Sequence, residues 1–174
     1  LGRVVYGDCT IDDTISVPLT MWGERSEAWV AGSSPAHFLT THALDRLLWY
    51  FAPANVERVF AMEQREILEY TPDVIDAFLF FDTGLKVRLK SGWIHHIEGG
   101  VETTELFNGE RGQVIHAGHD RFNCKSGWRL NLAHGEDLDA LRHHQEVLRK
   151  RGNGSRIILR EPLETGWKRG IPAG

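Results

Sequence analysis

The sequence has few cysteines, no long apolar run and no strong excess of charge. Cys9 and Cys124 are too few for a disulfide framework. Two free thiols in a reducing cytoplasm are the interpretation that fits them, and a single bridge between them is the alternative. Apolar runs such as Ala77–Phe81 are far shorter than the roughly 20 residues that cross a bilayer. The formal net charge of −4 predicts neither a nucleic-acid partner nor a membrane surface.

Nucleotide-binding motifs are also missing. A dinucleotide-binding fold needs a strand, then Gly-x-Gly-x-x-Gly, then a helix. Gly152-x-Gly154 lacks the third glycine and follows a predicted helix, and there is neither a P-loop nor Gly-x-Ser-x-Gly. The chain starts at Leu1 instead of Met, so we expect a fragment or a processed protein. The sequence therefore predicts that this chain does not bind a nucleotide cofactor by itself.

What is present suits a single globular domain of 174 residues, because 41% of them are hydrophobic and 25% are charged. A helix is predicted over Ala36–Phe51. Ser34 stands at its N-cap, Pro35 follows at the first helical position, and Pro53 ends it. Helical spacing gives it an apolar stripe of Leu44, Leu47, Leu48 and Phe51.

Strand patterns surround this helix. Arg3–Thr10 is predicted as a short strand and Ile11–Gly32 as a long loop. After the helix, β-type patterns occupy Val56–Glu69, Asp73–Phe81, Leu85–Trp93, Glu102–Phe107 and Gln113–Ala117, with shorter candidates at Arg121–Cys124, Trp128–Leu132 and Arg156–Arg160. A second helix is predicted over Glu136–Lys150. The prediction is an α+β fold with a large, mostly antiparallel and predominantly meander open sheet that carries helices on one face.

One predicted strand is apolar on both sides. Asp73–Phe81 places Val74, Phe78 and Phe80 on one face and Ile75, Ala77, Leu79 and Phe81 on the other. A strand of this kind is covered on both faces. We therefore expect the sheet face away from the helices to meet another subunit, which predicts a homo-oligomer.

His42 is the candidate functional residue. It lies off the apolar stripe, early in the helix, with Thr40, Thr41 and Asp45 around it. A histidine there can act as a general acid or base near neutral pH. The alternative is a histidine that only hydrogen-bonds locally, for instance to Asp45. The paired histidines (His95-His96, His116-x-x-His119, His143-His144) lack any zinc-site spacing, so no metal site is predicted.

Several segments resemble the glucose–fructose oxidoreductase / inositol dehydrogenase (Gfo/Idh/MocA) family. They are SPAHFLTTHALDRLLW (Ser34–Trp49), VERVFA (Val56–Ala61), DAFLFFDTGLKVRL (Asp76–Leu89), SGWI (Ser91–Ile94) and FNGERGQV (Phe107–Val114). Their order covers residues 1–117 and matches the family's C-terminal domain, whereas 118–174 match poorly. The resemblance implies that the whole chain is one C-terminal substrate-binding and oligomerisation domain, without the N-terminal Rossmann domain.

The resemblance also implies a chemistry. Family members transfer a hydride between a sugar, cyclitol or related hydroxy compound and NAD or NADP, which the absent domain would bind. His42 occupies the position of the family's catalytic histidine, and Asp45 and Thr41 become candidates for contacting or supporting the substrate. The partner lysine, in a Glu-Lys-Pro motif, would also lie in the absent domain.

Phe38 departs from the family pattern, because the family commonly has an aspartate four residues before this histidine. The substrate then differs, or part of the usual site is lost and the chain is a non-catalytic ligand-binding or dimerisation module. An unrelated, cone-shaped α+β ligand-binding fold is a third alternative.

Overall fold

The computed structural model describes residues 1–96, 100–117, 127–132 and 156–160, together with residues 139, 142, 143 and 146. The elements in chain order are β1 (Val4–Thr14), α1 (Ser16–Leu19), α2 (Arg25–Ala31), a π-helical turn (Ala36–Thr40), α3 (Thr41–Phe51), β2 (Val56–Gln64), β3 (Val74–Phe81), β4 (Lys86–His95), β5 (Glu102–Gly109), β6 (Gly112–Ala117), β7 (Gly127–Leu132) and β8 (Arg156–Arg160). Among these residues, no helix has the length and apolar character needed to cross a membrane.

The described strands form one open sheet in the order β2-β3-β4-β1-β5-β6-β7-β8. Five neighbouring pairs are antiparallel, whereas β1 runs parallel to β4 and β7 runs parallel to β8. The α+β class is confirmed, but the predominantly meander topology is wrong. The sheet is mixed, because β1 lies between the two meanders β2-β3-β4 and β5-β6-β7. Parallel neighbours need a long crossover connection, and here this connection contains all the described helices that precede β4.

One face of the sheet carries the described helices and the core. The alternating residues of β4 place Val87, Leu89 and Trp93 fully inside, as the sequence predicted. Leu39 and Leu47 from the helical layer belong to the same buried cluster. Burying each such aliphatic side chain contributes about 1.5–3 kcal/mol, so this face holds most of the hydrophobic stabilisation.

The segment predicted as the loop Ile11–Gly32 is instead largely regular structure. β1 continues to Thr14, and α1 and α2 follow. The two aspartates in the sequence IDDT are unusual for a strand, which is why the pattern did not indicate one. Asp12 is nevertheless fully buried in β1, because Lys90 of the neighbouring β4 donates to both of its carboxylate oxygens at 2.9 and 3.1 Å.

The predicted helix Ala36–Phe51 is confirmed in extent, but its first turn is π-helical. Ser34 is not the N-cap. The N-cap residue is Pro35, and the Ser34 hydroxyl lies 3.1 Å from Nδ1 of His37. Thr40 donates from its hydroxyl to the Pro35 carbonyl at 3.3 Å, and this back-bonding fits a distorted first turn. Such π-helical turns are frequent at functional sites, which directs attention to the residues that follow.

The predicted strand Val56–Glu69 ends at Gln64, and the chain then forms a loop around the buried Asp73. The Asp73 carboxylate accepts three backbone N–H bonds, from Glu66 at 2.6 Å, Ile67 at 2.7 Å and Leu68 at 2.9 Å. The side chain of Leu68 is thereby held in the core.

The remaining predictions concern the last third of the chain. The hairpin of β5 and β6 and the strands β7 and β8 are confirmed within two residues at each end. The candidate strand Arg121–Cys124 lies outside the described residues. Most of the predicted helix Glu136–Lys150 also lies outside them, and its described positions 139, 142, 143 and 146 are helical.

Candidate functional site

The three predicted site residues lie at the start of α3. Thr41, His42 and Asp45 are all exposed to solvent. Thr41 donates from its hydroxyl to the His37 carbonyl at 3.1 Å. In the described part of the chain, no hydrogen bond or ion pair joins His42 to Asp45, so the local bond considered as the alternative is not observed. His42 is therefore accessible to a ligand.

Phe38 lies one helical turn before His42, and residues four apart share a face of a helix. Its ring packs edge-on against Trp29, with centroids 5.2 Å apart, and against Trp22 at 6.3 Å. Trp22 and Trp29 contact each other at 4.8 Å, again in a T-shaped arrangement. Perpendicular rings at these distances attract each other through their quadrupoles. Phe38 is thus part of an aromatic cluster at the turn that precedes His42.

This cluster forms the wall of a surface pocket of about 610 Å³, which is lined by Trp22, Arg25 and Trp29. The two indoles remain 44% and 41% exposed. Beneath them Trp93 is fully buried and donates from its indole N–H to the Pro72 carbonyl at 2.8 Å. Its ring centroid lies 6.3 Å from that of Trp29. A rigid base therefore supports the pocket. Sequence reasoning missed this pocket, because Trp22 lies in the turn between α1 and α2 and only Trp29 lies in a helix.

A second polar cluster lies under α3. Glu105 of β5 is almost completely buried, and Arg46 of α3 donates from Nε to its carboxylate at 2.8 Å. The Tyr50 hydroxyl donates to the other carboxylate oxygen at 3.4 Å, and Nδ1 of His116 lies 4.0 Å from it. Burial, followed by the Glu105 charge, raises the pKa of Tyr50 and that of the Cys9 thiol. Burial lowers the pKa of His116. This cluster fastens the helix that carries His42 to the sheet.

The opposite face of the sheet also carries charges. His95 lies 3.2 Å from the Asp12 carboxylate, beside Lys90. Arg88 forms bonds of 2.6 to 3.2 Å with Asp76. Among the residues that the structure describes, no group of three histidine, cysteine or acidic side chains could hold a metal ion.

A nicotinamide dinucleotide does not fit the described residues. Within the described ranges, the one strand followed directly by a helix is β1, and Ile15 alone separates it from α1. A pyrophosphate needs a glycine-rich turn there, so that the backbone can approach the phosphates. None exists at this position, and no reaction step through a cofactor can be derived from this chain.

Comparison with known proteins gives fold relatives only. No protein-family model and no curated protein sequence matches the chain. Among solved structures, levoglucosan dehydrogenase in complex with NADH and levoglucosan matches with a TM-score of 0.60 and 16% identity, covering 79% of this chain and 38% of that one. An inositol dehydrogenase homolog from Azotobacter vinelandii complexed with NAD+ matches with a TM-score of 0.58 and 12% identity, covering 67% and 32%. An NAD-binding protein from Listeria innocua matches at 0.50 and 19%, covering 65% and 31%.

These relatives confirm, at the level of the fold, the resemblance that the sequence motifs carry. The chain spans 31% to 38% of the length of the three structures. An unrelated cone-shaped fold is not what the search found. The chain has the fold of a domain present in oxidoreductases of the glucose–fructose oxidoreductase / inositol dehydrogenase type.

Proposed function

We propose that this chain is the substrate-binding and oligomerisation domain of an NAD(P)-dependent oxidoreductase that acts on a sugar, a cyclitol or a related hydroxy compound. The observation that carries the proposal is the exposed His42 at the start of α3, in a fold shared with dehydrogenases of sugars and cyclitols. NAD or NADP would be bound by a nucleotide-binding domain outside this chain.

His42 is the proton-handling residue in this proposal. Oxidation of an alcohol releases the hydroxyl proton, and an accessible imidazole within hydrogen-bond reach can accept it. Thr41 and Asp45 flank His42 at the helix surface and can contact substrate hydroxyls. The ion pair of Arg46 with Glu105 holds the helix in place, which keeps His42 in a fixed position relative to the pocket.

Replacing His42 by alanine tests this role in the protein that carries both domains. We expect turnover to fall by about 10²–10⁴, and its pH dependence in the neutral range to flatten, because general acid–base catalysis contributes that much. His143→Ala is the matched control, since His143 is also exposed. Unchanged turnover in His42→Ala would remove the catalytic role.

A non-catalytic ligand-binding or dimerisation module is the second candidate function, and Phe38 favours it. An apolar ring cannot orient a substrate hydroxyl by hydrogen bonding, which the usual aspartate can do. The coding sequence upstream of Leu1 discriminates between the two candidates. A strand, a glycine-rich turn and a helix, followed by Glu-Lys-Pro, would support the enzyme. Their absence would support the module.

The oligomerisation role rests on the sheet face away from the helices. Phe60 of β2 is 58% exposed there, and it pairs with Phe78 of β3. Met62 is exposed on the same face, and the half-buried Phe80 lies there opposite Arg58. Exposed apolar side chains grouped in this way are typical of subunit interfaces. A second copy of the chain is the proposed occupant.

Sedimentation velocity tests this interface. Phe60→Ser should shift the protein toward the monomer, because it removes an aromatic side chain from the buried contact. Val59→Ser is the control: Val59 is 60% exposed in the same strand, but it faces the helix side. Equal dissociation in the two variants, or none in either, would contradict this interface.

We also place the protein in the cytoplasm. The support is Cys9, which is a buried free thiol, as expected in a reducing compartment. Cell fractionation tests this, and recovery from a secreted fraction would contradict it.

A further inference from the structure

The pocket formed by Trp22, Arg25 and Trp29 has a composition that selects among hydroxy compounds. We propose that it binds a hydroxylated ring compound that carries a carboxylate, such as a sugar acid. The indoles would pack on the ring and Arg25 would bind the carboxylate. This inference rests on the proposed function, because it names the substrate class for the same site.

The size and walls of the pocket fit a single six-membered ring with its substituents. Small-molecule sites generally measure about 300–1,000 Å³, and this pocket has a volume of about 610 Å³. Trp22 and Trp29 meet at an interplanar angle of 65°, so their exposed surfaces point in different directions. A saturated ring offers C–H groups on its faces and hydroxyls around its rim. Its apolar faces can therefore pack on an indole while the hydroxyls stay in water.

Arg25 supplies the charge selectivity. Its side chain is exposed, and within the described ranges no acidic side chain forms an ion pair with it. Glu27 lies two residues along the chain from Arg25. Burial raises the pKa of Tyr70, and the charge of Glu27 adds to this effect. A guanidinium in a pocket with apolar walls recognises a carboxylate in a bidentate manner, which a neutral hydroxyl cannot reproduce.

Phe38 completes the argument. It packs edge-on against both indoles that line the pocket, so the side chain in contact with them is uncharged. An aspartate at this position would repel a carboxylate ligand that entered the pocket. Phe38 therefore removes a repulsion where Arg25 adds an attraction, and the two residues favour the same ligand charge. Phe38 in place of the family's aspartate removes a contact to a substrate hydroxyl, and it also makes the pocket compatible with a carboxylate ligand.

Tryptophan fluorescence provides the measurement, with D-glucuronate and D-glucose as probes, since they share a ring and differ in the carboxylate. We expect saturable binding of glucuronate with a Kd about tenfold lower than that of glucose at low salt, as a charge-assisted contact allows. The preference should shrink at high ionic strength, because the contact is exposed to solvent. Arg25→Gln should abolish the preference. Arg65→Gln should keep it, since Arg65 is an exposed arginine paired with Glu63 in a loop outside the pocket lining.

The outcomes separate this inference from the proposed function. Equal affinity for the two probes, absence of saturable binding of either one, or a preference retained in Arg25→Gln would overturn the inference. None of these results depends on a nicotinamide cofactor or on turnover. A loss of turnover in His42→Ala together with equal probe affinities would leave the proposed function standing without the acid selectivity.

Discussion

Replacing Arg46 by methionine would leave the Glu105 carboxylate buried without its main partner. Glu105 is 2% exposed, and Arg46 donates to it at 2.8 Å while remaining 35% exposed itself. Breaking a fully buried pair costs about 3–5 kcal/mol. Because water reaches the Arg46 side of this pair, we expect Arg46→Met to lower the free energy of unfolding by about 2–3 kcal/mol. The remaining contacts of Glu105, at 3.4 Å from Tyr50 and 4.0 Å from His116, are too long to compensate.

Urea denaturation followed by tryptophan fluorescence measures this cost. A loss of that size lowers the melting temperature by roughly 4–12 °C in a chain of this length. The double variant Arg46→Met/Glu105→Gln should be more stable than Arg46→Met alone, because it leaves no uncompensated charge. The sign of the coupling between the two positions is therefore part of the prediction.

The exposed pair of Arg65 and Glu63 provides the control. Its atoms lie 3.4 Å apart and the side chains are 42% and 56% exposed, so Arg65→Met should cost less than about 0.5 kcal/mol. If Arg46→Met costs no more than Arg65→Met, or if the double variant shows the sum of the single losses, the reasoning about burial is refuted.

Three further changes test the packing. Asp73→Ala should cost about 2–3 kcal/mol in urea unfolding and speed amide exchange at Glu66–Leu68, because three backbone donors lose their acceptor; unchanged exchange would contradict this. Burial lowers the pKa of His116, so the folded state loses stability as the pH falls below about 6.5, the ordinary value. His116→Gln should therefore lose less stability between pH 7 and pH 5 in urea unfolding, and an unchanged slope would count against this. Gly7→Ala would place a Cβ atom 2.8 Å from Phe107, so we expect its melting temperature to fall with a loss of about 1–3 kcal/mol; a wild-type melting temperature would show that Phe107 can move aside.

Local patterns predicted the elements whose evidence is local. The alternation in Leu85–Leu89 and the positive φ of Gly84 in the preceding turn are both visible in a short stretch of sequence, and both are observed. Most of the apolar stripe of α3 was equally readable, because a helix period needs only neighbouring residues. Leu47 is buried and Leu44 and Phe51 pack against the core, but Leu48 is 41% exposed, so its predicted place in the core-facing stripe is wrong.

The sheet topology could not be predicted in this way. The position of β1 depends on pairing with β4 and β5, in registers such as Tyr6 with Lys86 and Gly7 with Phe107. In the sequence, Asp12 indicated against a strand, and only the bond from Lys90 of the neighbouring β4 explains why a strand forms there. Charge compensation of this kind arises only from long-range contacts.

The candidate site was also predictable only where its residues belong to one short segment. His42 and the departure at Phe38 were visible in the sequence, since both belong to one segment. The pocket was not, because Trp22 and Trp29 reach Phe38 only through the two short helices α1 and α2. Those helices show no sustained apolar period, so nothing in the sequence indicated their packing.

The central position of β1 has a consequence for the order in which the protein can be made. β1 precedes both of its neighbours in the chain, so it must wait for them during synthesis, and β5 ends only at Gly109. Until β4 is complete at His95, β1 has two open edges, and the buried side chains Cys9 and Ile11 have no complete core to enter. Late closure of long-range pairs slows folding and leaves strand edges exposed to other chains. A nascent chain that ends after β4 would contain four strands of the sheet. One edge of β1 would then be unpaired and able to pair with a strand of another chain.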